Sequence, residues 1–533
     1  MMVNGEGNKA GFIQNPILPG FNPDPCIVRV EEVYYIAVSS FEWLPGVRIY
    51  ESSNLADWEH CSDPLTHQVD LRGNPKNCSI WAPQLSYHDG LFYLMYTDVK
   101  STKRPFKDCH NYLITAPSIH GPWSEPVYLN SSGFDPSLYH DEDGRKWLLN
   151  CLWDYRITEG NKSSGIVIQE YDSLQGKLIG EPKKLFDCTP LKKTEAPHIY
   201  KRNGYYYLIT AEGGTGSGHA VTVARSKELL GPYEVDPQNP MLTSRNHPEL
   251  ELQCAGHGSL IETPQGEWYM AHLCTRPVEG EYAILGRETA LQQVYWDEQG
   301  WLRLTAGGNA PQLRVPLPKG LNFTPKVTVT DFEDDFTGPG LKKNWNTLRI
   351  LADESWCSLS ARAGYLRIQA GESLQSLFNH HILAIRQTDK SFRAETKVEF
   401  DPVSYLQMAG LMLYLNEDNY WYAYVSHEEG RGKVLRLMRC ERDEFELEPV
   451  VMEWSGDGAV QLAVDVTGAK GQFYYRADDQ DEWHAWGDAR HIGFLSGGFT
   501  GNFIGIAAHD MNMFGGIYAD FDYFRYQGRD RQS

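Results

Sequence analysis

A five-bladed β-propeller followed by a C-terminal β-sandwich is the all-β fold predicted for this chain of 533 residues. Three observations predict it. Five stretches in the first half repeat one strand-turn-strand grammar at near-constant spacing. No segment before residue 310 keeps helical periodicity for more than two turns. Beyond a Pro- and Gly-rich break, strands of period two resume.

The repeated stretches are NPDPCIVRVEEVYYIAVS, IWAPQLSYHDGLFYLMYT, GFDPSLYHDEDGRKWLLNC, TEAPHIYKRNGYYYLITA and AGHGSLIETPQGEWYMAHL. Each opens on a small or acidic residue, usually followed by Pro. Then come a short apolar strand, a turn and an aromatic-rich strand. Asp-Gly and Asn-Gly between β-type runs mark hairpins, and the first unit turns on Glu31-Glu32 instead. Successive units lie about 53 to 62 residues apart, close to the size of one blade. The outer strands repeat as well, in YESSNLADW, ITAPSIHGPW and VARSKELLGPY.

The first strand of every blade lines the central channel, so equivalent strand starts converge at one end of it. The alignment brings Asp24, Trp81-Ala82, Phe134-Asp135, Glu195-Ala196 and His257 to one rim. Asp24 stands between two prolines in FNPDPC. The residue before a proline is biased toward extended backbone, so Asp24 is expected extended and stiffly aimed. Asp-Pro is also an ordinary turn dipeptide.

Residues 1–310 are assigned to the propeller, 311–330 to a linker and 331–533 to the sandwich, of jelly-roll or lectin-like type. The sandwich strands read YLRIQ, RAETKVEF, GLMLYL, YWYAYV, VQLAVDV and ADFDYFRY. Asp334-Asp335 and Asp520 with Asp522 lie in its first and last segments, as a solvated face or a structural Ca²⁺ site.

The net charge of −21 excludes a nucleic-acid partner, which would need basic patches. No apolar run approaches a membrane span. The N-terminal residues MMVNGEGNKAGF contain no apolar signal region, and ten cysteines lack metal-ligand spacing. Together these point to a cytoplasmic protein with reduced thiols. Self-association is left open. Abundant Tyr and Trp suit an all-β fold and a sugar-binding surface alike.

Three carboxylates in one funnel supply what glycoside hydrolysis needs. One carboxyl must be protonated for the leaving oxygen, and a second must be ionised to activate water or attack carbon. A third nearby raises the pKa of the acid by like-charge repulsion. Asp24, Asp135 and Glu195 provide base, modulator and acid as a matter of supply. The same three could hold Ca²⁺ at the channel centre. His257 reads as a metal ligand, a partner of a sugar hydroxyl or a satisfied core histidine.

These residues resemble glycoside hydrolase family 43, most closely its two-domain β-xylosidases. The matching pieces are NPDP around Asp24, SSFEWLPGVRIY at 39–50, WAPQLSYHDG at 81–90 and NSSGFDPSLYHDEDGRKW at 130–147. Further matches are TEAPHIY at 194–200, AGHGSL at 255–260, LGRETA at 285–290 and FTGNFIG at 499–505. Where the family often has Glu-Gly-Pro-His, this chain has Glu195-Ala196-Pro197-His198.

The resemblance implies an exo-acting enzyme that releases xylose from non-reducing ends of xylo-oligosaccharides with inversion. It names Asp24 as general base, Glu195 as general acid and Asp135 as pKa modulator and orienter. Arg287 would contact sugar hydroxyls and hold a carboxylate. Phe41, Trp81 and Phe134 would wall a pocket for one terminal sugar, His257 would face it, and Phe503 of the sandwich would close its mouth. No redox or nucleotide cofactor is implied. α-L-Arabinofuranosidase activity on arabinose-bearing oligosaccharides is the near alternative, and a noncatalytic sugar-binding propeller is the alternative of another class.

Overall fold

The computed structural model describes residues 11–321, 330–449, 451–454, 458–477, 479, 481–512 and 516–530. Positions 1–10, and 322–329 of the segment assigned as linker, lie outside the described residues. Among the described residues there is no α-helix; one 3₁₀ turn, Gly493–Leu495, interrupts an otherwise all-β chain.

Five antiparallel sheets follow one another in chain order. Their first strands are Cys26–Val30, Ser79–His88, Gly133–His140, Glu195–Arg202 and Gln253–Glu262. The first strands of blades one to four pack in succession, and that of blade five packs on the second and third strands of blade four and on the first strand of blade one, so the ring closes. The stretch ahead of blade one secures the closure. Phe12–Gln14 pairs with Arg314–Pro316, and the Asn15 side chain donates to the carbonyls of Leu291 and Gln312.

The five strand starts share a backbone feature. Asp24, Ala82, Asp135, Ala196 and His257 all have positive φ, at 56°, 34°, 55°, 50° and 55°. The expectation of an extended Asp24 is therefore corrected. In blades two to five the register to the second strand shifts at this point, as at a bulge. A regular strand sends neighbouring side chains to opposite faces, and a bulge re-aims them. Hence Phe134 and Asp135, adjacent in sequence, both face one cavity. A non-glycine residue persists at such a φ only where its surroundings over-determine it.

The second half is two sheets face to face. One contains Leu366–Gln369, Ser391–Glu399, Val460–Thr467 and Tyr518–Gly528. The other contains Ile382–Arg386, Gln407–Asn416, Asn419–Glu428, Gly432–Glu441 and Phe503–Asp510. Its last member comes from the propeller: Trp43–Leu44 pairs with Asn346–Leu348. Ser391–Glu399 alternates half-buried and buried residues, as befits a sheet with one wet face. Gln407–Asn416 and Phe503–Asp510 are buried at every position. One face of their sheet fills the sandwich core, and the other packs on the propeller through Trp43, Met412, Tyr414, Tyr422 and Phe503.

One acid of each pair at the ends of the sandwich is engaged otherwise than expected, while Asp335 is exposed. Asp334 is buried and accepts hydrogen bonds from the Phe336 N–H and the Trp345 indole. Asp520 pairs with Arg367 and Arg362, and Asp522 with Lys397. Asp334 and Asp520 are thus not a solvated face.

Candidate active site

One cavity of about 320 Å³ opens where the first strands begin. Each first strand leaves the mouth, the second returns to it and the third departs again. The mouth is therefore built from strand starts and from the loops between second and third strands. Asp24, Trp81, Phe134, Asp135, Glu195 and His257 line it from strand starts. Phe41 comes from loop 39–47, Thr102, Arg104 and Lys107 from 102–107, Asn161 from 154–162, Gly214 and Thr215 from 213–219, and Arg287 from 276–287. Trp153 and Ser163 are the strand ends flanking the third of these loops, and Lys193 precedes the first strand of blade four.

Phe503 is not on the wall. It is fully buried, stacks on Trp43 at 3.8 Å between ring centres and packs on Phe21. The sandwich residue that reaches the cavity is Phe499, from the loop before that strand. The strand cannot supply it, because its side chains are committed either to the sandwich core or to the propeller. Phe499 is fixed from both domains: its N–H donates to Asn77 Oδ1 at 2.7 Å, and its carbonyl accepts from Arg287 Nε at 3.1 Å. Gly286 and Gly501 let the two loops cross at this point. A Cβ on Gly286, at φ +76°, would stand 2.7 Å from Gly501 Cα.

The apolar wall is a linked set of rings. Phe41, Trp81 and Phe499 lie 5.4 to 5.9 Å apart between centres, and Phe134 meets Trp81 edge-on at 5.6 Å. Lys107 Nζ sits over Phe134, Trp153 and Trp81 at 4.2, 4.3 and 5.0 Å, within cation–π range.

Asp24 is held by two direct donors, with an imidazole close by. Arg287 Nη1 donates to Oδ1 at 2.7 Å, Ser39 Oγ donates to Oδ2 at 2.7 Å, and His257 Nδ1 lies 3.6 Å from Oδ1. Ser39 also accepts from the Ala82 N–H at 2.7 Å, which orients its hydroxyl proton toward Asp24. Burial pushes the Asp24 carboxyl up, but the Arg287 charge, His257 and the Ser39 hydrogen bond outweigh it and hold the pKa below the usual range. Burial lowers His257, leaving a neutral imidazole near neutrality.

The opposite side behaves differently. Asp135 accepts one backbone hydrogen bond, from the Ala196 N–H at 3.2 Å. Burial raises its pKa well above the ordinary value, and the charges of Glu195 and Asp24 raise it further. Burial also pushes Glu195 up, to about 7, with Asp24 adding to the rise and Lys107, Arg287 and Lys193 opposing it. The two carboxyls titrate as a pair that retains a proton while Asp24 is ionised. One cavity therefore offers a fixed carboxylate and a proton donor, the division of labour that glycosidic cleavage requires.

Asp24, Asp135, Glu195, His257, Arg287, Phe41, Trp81 and Phe134 thus share one cavity, and Phe503 lies outside it. Sequence reasoning missed Ser39, Lys107, Trp153, Lys193 and Phe499. Ser39 was within reach, in the SSFEW stretch that follows the second strand of blade one. Applying the loop rule of this topology would also have found Lys107. Among the described residues no group of three or more His, Cys, Asp or Glu is arranged to hold a metal ion.

Comparison with known proteins follows the same two-part division. Residues 13–302 match the family model of glycosyl hydrolases family 43, and residues 333–527 that of the β-xylosidase C-terminal concanavalin A-like domain. A β-xylosidase of Bacillus subtilis 168 is 44% identical over 97% of this chain and 99% of its own. The xylosidase/arabinosidase 43B of Humicola insolens is 45% identical, over 97% of each chain. The crystal structure of the xylan β-1,4-xylosidase of Bacillus halodurans C-125 superposes with a TM-score of 0.94 at 48% identity, covering 97% of this chain and all of the other. This chain belongs to glycosyl hydrolase family 43 and is a glycoside hydrolase.

Proposed function

We propose that the chain is an exo-acting β-xylosidase that removes xylose from the non-reducing ends of β-1,4-xylo-oligosaccharides with inversion. The observation that carries the reading is the split between the two sides of the cavity. Asp24 is kept ionised by Arg287, His257 and Ser39, while burial keeps a proton on the Asp135–Glu195 pair. Asp24 takes a proton from water as the oxygen attacks the anomeric carbon. Glu195 gives its proton to the leaving oxygen as the glycosidic bond breaks. Asp135 stays beside Glu195 and orients it. The chemistry needs no redox or nucleotide cofactor.

Support for exo action comes from the size of the cavity, at the small end for ligand sites, and from Phe499 closing one side. A single terminal sugar fits such a space better than the interior of a chain. Support for xylose comes from relatives named β-xylosidase. A second reading, α-L-arabinofuranoside cleavage by the same residues, is favoured by relatives named for both activities.

A time course on xylobiose followed by NMR tests the proposal. α-Xylose is the expected first product. β-Xylose first would overturn inversion, and no release from xylobiose or from aryl xylosides and arabinofuranosides would overturn hydrolysis in favour of sugar binding alone.

A further inference from the structure

The charge of the cavity is opposite to that of the chain. Arg104, Lys107, Lys193 and Arg287 line it together with three carboxylates, in a protein of net charge −21. One of those carboxyls keeps a proton, so the cavity carries a surplus of about two positive charges. Two of the four cations have work in hand. Arg287 is paired with Asp24, and Lys107 lies in a cage of three aromatic rings. Arg104 and Lys193 have neither, and among the described residues no carboxylate pairs with them.

Both are exposed and held at the rim by backbone ties. The carbonyl of Pro105, next to Arg104, accepts the Trp153 indole N–H at 3.0 Å. Lys192 and Lys193 have φ of 60° and 58°, and the Lys192 carbonyl accepts the Gly213 N–H at 2.8 Å. A Cβ on Gly214 would stand 2.9 Å from Lys193 Nζ, so the ammonium lies against the cavity wall. Lys193 is two residues from Glu195, the acid that faces the leaving oxygen, and its charge reaches that carboxyl. Lys193 therefore borders the leaving-group side, and Arg104 lines the same cavity from the loop tied to Trp153. The exposed Phe106 and Tyr155, with ring centres 5.2 Å apart, flank Pro105 and Trp153 on the same rim and offer a stacking face.

We propose that the leaving-group side of this cavity is built for a carboxylate-bearing aglycone, with Arg104 and Lys193 as its specificity determinants. The inference rests on the hydrolase reading above. A uronic acid on the sugar that follows the terminal xylose, or an aromatic acid in glycosidic linkage, would present the required anion.

The test compares matched neutral and anionic substrates. For the full-length protein at low salt, kcat/KM is measured on 4-(carboxymethyl)phenyl and 4-(carbamoylmethyl)phenyl β-xyloside. The methylene insulates the leaving oxygen from the charge. A second pair is xylotriose with and without a uronic acid on its middle sugar. Two exposed cations are expected to favour the anion by about three- to tenfold. That preference should fall toward one in the Arg104→Gln/Lys193→Gln double variant and at high salt.

A preference in the oligosaccharide pair assigns a glycan uronate, and one confined to the aryl pair assigns an aromatic acid. A ratio near one in both pairs, or a preference that the double variant leaves intact, overturns the proposal. Because the readout is a ratio on one protein, a general loss of activity does not mimic either result. Turnover of neutral substrates with a ratio of one defeats this inference alone. No turnover of any substrate defeats the hydrolase reading.

Discussion

The two sides of the cavity treat their carboxyls in opposite ways, although Asp24 and Asp135 are buried alike and Glu195 is half-buried. Asp24 meets a guanidinium, an imidazole and a hydroxyl. Asp135 meets one peptide N–H, and Glu195 meets only the fields of more distant charges. Burial pushes all three carboxyls up. Asp24 and Asp135 are buried alike, so direct donors rather than depth set the ionised carboxyl apart from the one beside Glu195. Glu195 and Asp135, with one peptide N–H between them, keep a proton, and Asp24, hydrogen-bonded by a guanidinium and a hydroxyl, loses its own.

Removing either principal breaks the comparison most severely. Asp24→Asn should lower kcat by about 10²–10⁴-fold on every substrate, because no other group activates water. Glu195→Gln should cost about as much on xylobiose but far less on 4-nitrophenyl β-xyloside, whose leaving group needs little protonation. Steady-state kinetics on both substrates decide the matter; equal losses would reject Glu195 as the acid.

Arg287→Met attacks the donors on the Asp24 side. A loss of about 10- to 100-fold in kcat/KM is expected, from a misaligned base and a lost charge-assisted hydrogen bond. The pH profile adds a sharper readout. Asp24 sets the acid limb of kcat/KM, which lies below the usual carboxylate range. Without the Arg287 charge the Asp24 pKa rises, so the acid limb must move up.

Ser39→Ala should act in the same direction with less force, about threefold to tenfold, because one of two direct donors is lost. Lys107→Met probes the other side. Lys107 lowers the Glu195 pKa, and loss of the proton held by the Asp135–Glu195 pair is expected to set the alkaline limb. Loss of that positive charge raises the pKa, so activity should persist to higher pH with little change at the optimum. An alkaline limb that stays in place would remove Lys107 from the acid's environment.

How much of this was legible in sequence depends on whether a residue sits in the repeat. The five-bladed fold and the sandwich were readable because hairpin chemistry recurs at fixed spacing. The strand starts followed from it, Asp24, Asp135 and Glu195 among them. Their conformation did not. Pre-proline sterics argued for extended backbone at Asp24, but φ is +56°. The bulge that lets neighbours such as Phe134 and Asp135 face one cavity is a register event between strands, invisible in one strand alone. Lys107 and Arg104 lie in a loop whose sequence does not repeat. FTGNFIG contains two phenylalanines, and composition cannot tell which faces the mouth. The choice is made by a sheet buried on both faces, which absorbs Phe503 and leaves the loop residue Phe499 to reach across.

The pairing of Trp43–Leu44 with Asn346–Leu348 bears on traffic through the site. Phe41 stands two residues before that shared strand, and Phe499 is hydrogen-bonded across the same seam. Swinging the domains apart would tear a β-ladder, so this flank of the cavity is a fixed wall and not a door. Whatever is cut off must then queue for the mouth. In the proposed exo reaction the leaving-group sugar sits outermost and departs first, and the xylose beneath it must follow before another chain end can enter. Free xylose therefore competes directly with substrate, and its departure governs turnover whenever bond cleavage is fast.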